Sequence, residues 1–84
     1  MPRELVFSNE LTIQNVGSLA NELLNALQGG MEVSIDLSGV ERIDTAALQV
    51  LIAAAREARI AGITMTCITS VAVENAAVSV GIQL

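Results

Sequence analysis

The sequence predicts a small α/β domain, and three observations carry that prediction. Segments with a period-two apolar alternation lie between segments with a helical apolar stripe, glycines and other turn residues punctuate them, and aliphatic residues are plentiful enough for one core. The chain has 84 residues, 52% of them hydrophobic and 15% charged, so disorder is disfavoured and a single domain over residues 1–84 is expected. Phe7 is the sole aromatic residue, which makes that core aliphatic.

The elements follow in order. Glu4-Leu5-Val6-Phe7 reads as a short strand, and Ser8-Asn9 as a turn after which Glu10 to Thr12 would pair back onto it. Val16, Leu19, Ala20, Leu23, Leu24 and Leu27 fall on one helical stripe opposite Asn21, Glu22, Asn25 and Gln28. Thr12 or Asn15 would cap that helix and Gly29-Gly30 would end it. Met31, Val33, Ile35 and Leu37 then alternate with Glu32, Ser34 and Asp36, the mark of a strand with one buried face, and Ser38-Gly39 reads as the turn after it. A second helix runs from Asp44-Thr45 to about Ile60, with Leu48, Leu51, Ile52, Ala55 and Ala58 inward and Ala61-Gly62 closing it. Ile63 to Ile68 alternate again as a strand, and Ser70 would cap a third helix carrying Val73, Ala76, Ala77 and Val80. Val78, Val80, Ile82 and Leu84 also alternate, so a final strand is the other reading of that end. Together these elements predict a small mixed sheet of about four strands, with right-handed crossovers and helices packed mainly on one face.

Charge and composition exclude several functions. Nine acidic residues against Arg3, Arg42, Arg56 and Arg59, with no lysine, give a net charge of −5. Four dispersed cations and one aromatic ring supply neither a phosphate-tracking stripe nor a base-stacking platform, which argues against nucleic acid. Val50 to Ala55, the longest apolar run, is far shorter than the ~20 residues of a membrane span, so a cytoplasmic protein without membrane insertion is expected. Cys67 has no partner for a disulfide and reads as a small core residue.

No chemistry-bearing constellation appears. The chain has no histidine, hence no usual general base, and one cysteine cannot build a zinc site. The absence of lysine removes Schiff-base chemistry and a nucleoside triphosphate phosphate loop. Asp36 and Asp44 form a carboxylate pair on paper, but surface carboxylates are usually solvated charges rather than acid–base pairs. No catalytic residue, metal or cofactor is therefore expected.

One segment stands apart. Asp36-Leu37-Ser38-Gly39-Val40 followed by Glu41-Arg42-Ile43-Asp44-Thr45-Ala46-Ala47-Leu48 resembles the central signature of the STAS family, the bacterial anti-anti-sigma factors and their relatives. In that family a strand ends in an Asp-Leu-Ser-Gly-Val-like turn, and the chain enters a helix through Asp, a serine or threonine, a small residue and leucine. Cys67-Ile68-Thr69-Ser70 with Val73 resembles the later strand and helix start. The resemblance implies a STAS-like, anti-sigma-antagonist fold, C-terminally shortened relative to relatives that carry a further strand and helix. It also implies a non-enzymatic signalling module that binds a serine/threonine kinase or anti-sigma factor and is controlled by phosphorylation at Thr45. The partner surface would comprise Ser38, Gly39, Glu41, Asp44, Thr45, Ala46, Ala47 and Leu48. Ala47 departs from the family's usual glycine and would set a methyl where a partner's backbone approaches. The alternative is a constitutive module, an accessory subunit of a lipid-transport ATPase or of a chemotaxis-type complex.

Read without the resemblance, Asp44 and Thr45 are both good helix caps, and one of them capping the second helix is the plain account. That account has no need of both. Apolar residues at the end of the chain, Val78, Val80, Ile82 and Leu84, are further contact candidates, toward a partner or in a homodimer.

Overall fold

Strands and helices alternate from end to end: β1 (Arg3–Leu11), α1 (Val16–Gln28), β2 (Val33–Ile43), α2 (Thr45–Ala61), β3 (Met65–Thr69) and α3 (Val71–Ser79). They come from a computed structural model that describes residues 3–30, 32–79 and 81. The expected α/β alternation and all three helices are present. The sheet order is β1-β2-β3, and both pairings are parallel. Neighbouring parallel strands joined by right-handed crossovers put successive helices on the same side of a sheet. Accordingly α1 and α2 pack on each other.

Two expectations are corrected. The sheet has three strands among the described residues rather than about four, and its pairing is parallel rather than mixed. The cause lies in β1. Instead of turning back at Ser8-Asn9, the chain runs on alongside β2 to the pair Leu11–Ile43. Asn9 does adopt a left-handed backbone (φ 66°), a conformation asparagine tolerates, but it sits inside the strand as an irregularity. Nor does β2 stop at Ser38-Gly39. Val6 pairs with Asp36 and Ser8 with Gly39, then Asn9 with Val40 and Glu10 with Arg42, so β2 twice spends one residue more than β1. These bulges carry the strand on to Ile43. The first is held by Asp36, whose Oδ1 accepts from the Ser38 N–H at 2.9 Å and the Ser38 hydroxyl at 2.6 Å. At Gly39 a Cβ would stand 3.1 Å from the Cβ of Ser8, so the two strands approach closely there and a side chain would crowd Ser8. Of the alternative final strand, Val78 belongs to α3, while Val80 and residues 82–84 lie outside the described residues.

The core forms where strand alternation and helical stripes meet. Val33, Ile35 and Leu37 on central β2 are fully buried beneath Leu19, Leu23, Leu51 and Ala54 of the helices, with Leu5 and Val73 at its margins. Fully burying such side chains is worth ~1.5–3 kcal/mol each. The opposite sheet face is open. Its rows, Glu4–Ser34–Thr66 and Val6–Asp36–Ile68, follow from the register, and Val6 and Ile68 are 66% and 57% exposed. Gly62, left-handed at φ 73°, ends α2 and leads into β3. Among the described residues no helix is long and apolar enough to cross a membrane.

Candidate functional site

Parallel strands all point their C-terminal ends the same way, so the β1–α1, β2–α2 and β3–α3 connections gather at one end of the sheet, where α/β folds commonly place their sites. The start of α2 occupies the middle of that end. Asp44 is the N-cap: its Oδ1 accepts from the Ala47 N–H at 3.0 Å. Its Oδ2 accepts from the Ile13 N–H at 2.7 Å, which ties the β1–α1 connection to the helix. The Asp44 N–H donates to the Leu11 carbonyl, and its carbonyl accepts from the Leu48 N–H. Each polar group of Asp44 is thus engaged in holding the fold.

Thr45 is the first residue of α2 and is exposed. Among the described residues its hydroxyl has no hydrogen-bond partner, because Asp44 has taken the capping role. The initial N–H groups of a helix lack intrahelical acceptors and, with the helix dipole, favour an anion beside them. Thr45 is therefore a hydroxyl free of structural duty, set beside partial positive charge and next to an ionisable carboxylate.

The expected partner surface divides in two. Ser38, Gly39 and Glu41 are exposed, and Ala46 is half-buried. Ala47 and Leu48, at 0% and 1% exposure, lie in the core of the chain rather than on its exposed surface. The Ala47 methyl points into the protein, because the third and fourth positions of this helix turn toward the sheet. Asp44 is half-buried and bonded within the protein at both oxygens, so its part at this surface is to hold Thr45 and Ile13 in place.

Sequence reasoning missed two neighbours. Ile13 is a large exposed apolar side chain whose position is fixed by Asp44, a link across 31 positions that no local pattern announces. Val71, also exposed, opens α3 just after Ser70. The Ser70 hydroxyl accepts from the Val73 N–H at 3.2 Å, the cap expected, and donates to the Val40 carbonyl at 2.7 Å, locking α3 to β2. Arg42 and Glu10 pair at 3.2 Å near the C-terminal ends of β2 and β1, an exposed contact of little energetic weight.

The remaining titratable groups are structural. Ser38's hydroxyl, then its N–H, hold the Asp36 carboxyl below the ordinary carboxylate range. Burial, with a smaller push from the Asp36 charge, raises the pKa of the half-buried Cys67 thiol, which packs against the core. Among the described residues no group of three or more histidine, cysteine, aspartate or glutamate residues is arranged to hold a metal ion.

Comparison with known proteins agrees with this architecture. The solved structure described as "Crystal Structure Analysis of Mglu" superposes on 74% of this chain with a TM-score of 0.65 and 16% sequence identity, and the match spans 16% of that chain. At that identity the likeness speaks for the fold alone. No curated protein matches the chain. The family model described as "Mlab, STAS domain" matches residues 3–79, from the first strand to the end of α3. A helix entered through Asp44-Thr45, at the end of a strand carrying Asp36-Leu37-Ser38-Gly39, is thus part of a match along nearly the whole chain, and the protein belongs to the STAS domain family.

Proposed function

We propose that this STAS module docks on a protein partner, a serine/threonine kinase or an anti-sigma factor, through the end of the sheet where Thr45 stands, and that phosphorylation of Thr45 releases it. The observation that carries the reading is the division of labour between adjacent residues: Asp44 makes the cap and the tie to Ile13, leaving the Thr45 hydroxyl exposed and unbonded. A kinase would transfer the γ-phosphoryl group of ATP to Thr45 Oγ1, the hydroxyl proton leaving and ADP departing. The chain itself is substrate and ligand, with no catalytic group of its own. The phosphoryl group brings a charge of about −1.5 to −2. The helix start tolerates that charge. An acidic or close-packed partner face beside Asp44 and Glu41 does not, so binding changes without unfolding.

The test compares Thr45→Ala and Thr45→Glu for affinity to the host's kinase or anti-sigma factor, alongside mapping of phosphate on the protein from cells. Thr45→Ala should bind like the parent, and Thr45→Glu at least about tenfold more weakly. Equal binding by both variants, with no phosphate at Thr45, would overturn the switch. The constitutive module, serving a transport ATPase or a chemotaxis-type complex, would then be the better reading.

A further inference from the structure

The open face of the sheet poses a separate question. All-parallel sheets are almost always covered on both faces, since their strands are apolar on both. Here the helices bury one face, while on the other Val6 and Ile68 flank Asp36 in a single row and remain more than half exposed. Glu4, Ser34 and Thr66 form the next row. These two rows hold two apolar side chains, two carboxylates and no cation; Arg3 alternates to the other side of β1, and Arg42, farther along β2, is paired with Glu10.

That composition selects an occupant. A second copy paired through the same two rows would bring further carboxylates and no cation to Glu4 and Asp36, which opposes pairing. The chain's own last residues, Val80-Gly81-Ile82-Gln83-Leu84, contain no basic side chain to meet either carboxylate. What matches is an apolar surface with interspersed positive charge.

We propose that the Val6–Asp36–Ile68 row, with Glu4 beside it, is a second docking surface that receives a basic amphipathic helix of a partner protein. The apolar side of the helix covers Val6 and Ile68, and its lysine or arginine residues reach Asp36 and Glu4. Asp36 is prepared for this: Ser38 engages only its Oδ1, so the carboxylate is fixed in place with Oδ2 unoccupied among the described residues. The surface is distinct from the Thr45 end of the sheet, so the module can hold one partner there while another is released.

The probe is a synthetic peptide with leucine and lysine at helical spacing, titrated into the isotope-labelled full chain and followed by backbone amide shifts. Shifts should concentrate on Val6, Ser34, Asp36, Thr66 and Ile68, and a leucine–glutamine peptide of the same pattern should bind more weakly. The double variant Val6→Ser, Ile68→Ser should lose about tenfold in affinity or more. Asp36→Asn, which keeps an acceptor for Ser38, should also weaken binding, whereas Glu22→Gln on α1 should not. The proposal is overturned by a footprint in the apolar groove between α1 and α2, lined by Ala20, Leu24, Val50 and Ala53, or around Thr45. Unchanged affinity in the double variant would overturn it as well. So would equal losses from Asp36→Asn and Glu22→Gln, which would mean unspecific attraction to an acidic protein.

Discussion

Helices α1 and α2 begin at the same end of the sheet, yet their starts are built differently. Asn15, before α1, turns its side chain away from the helix: its Oδ1 accepts from the Thr12 N–H at 2.7 Å and its Nδ2 donates to the Glu10 carbonyl at 2.6 Å, so it braces the preceding loop and leaves α1 without a side-chain cap. Asp44 caps α2 and also reaches across to Ile13. One start is local, whereas the other joins two connections of the sheet. Concentrating both tasks in one carboxylate leaves the adjacent hydroxyl free of capping, which is the freedom the proposed switch at Thr45 requires.

The sharpest way to break this comparison is to remove each side chain. Asp44→Ala should cost about 2 kcal/mol, a cap plus a charge-assisted hydrogen bond, against about half as much for Asn15→Ala, with Thr45→Ala within about 0.5 kcal/mol. Denaturant unfolding measures all three, and equal losses at positions 44 and 45 would return Thr45 to a capping role. Next in size is Ala47→Gly. Removing a buried methyl and loosening the first turn should cost about 1 kcal/mol while leaving affinity for the partner at the Thr45 end unchanged. Lower affinity without lower stability would put position 47 at the interface after all. The smallest effect concerns acid. Because Ser38 lowers the folded-state pKa of Asp36, its contribution to stability is present above the ordinary carboxylate range and is lost as pH falls through the lower folded value. Asp36→Asn should therefore lower stability slightly near neutrality and leave it unchanged at low pH, so that the acid limb of a stability–pH profile flattens.

Much of this was legible in the residues, and the misses share one cause. The stripe of α1, the alternation from Val33 to Leu37, the span of α2 with its glycine terminator and the Ser70 cap were all visible, because each depends on neighbours within a few positions. Ser8-Asn9 and Ser38-Gly39 carry sound local turn signals, since Asn9 is left-handed and Asp36 folds its carboxylate onto Ser38 as it would in a turn. What local chemistry does not reveal is that the two irregularities face each other across β1 and β2 and compensate within the ladder, with Gly39 against Ser8. The site behaved alike. Thr45 could be singled out from its motif, whereas the burial of Ala47 and Leu48 depends on tertiary packing of α2, and Ile13 joins through a contact remote in sequence.

The wholly parallel sheet also shapes how the chain can fold. Arg3 pairs with Val33 and Val33 with Met65, so each strand pair closes a loop of roughly thirty residues that contains an entire helix. Among the described residues there is no hairpin to form early and guide the rest. A strand pair gains little until the helix between its strands is docked on the same apolar face, so β1-α1-β2 or β2-α2-β3 must assemble largely as a unit. Central β2 belongs to both units, which makes its Val33, Ile35 and Leu37 the positions where a substitution slows folding most, rather than merely hastening unfolding.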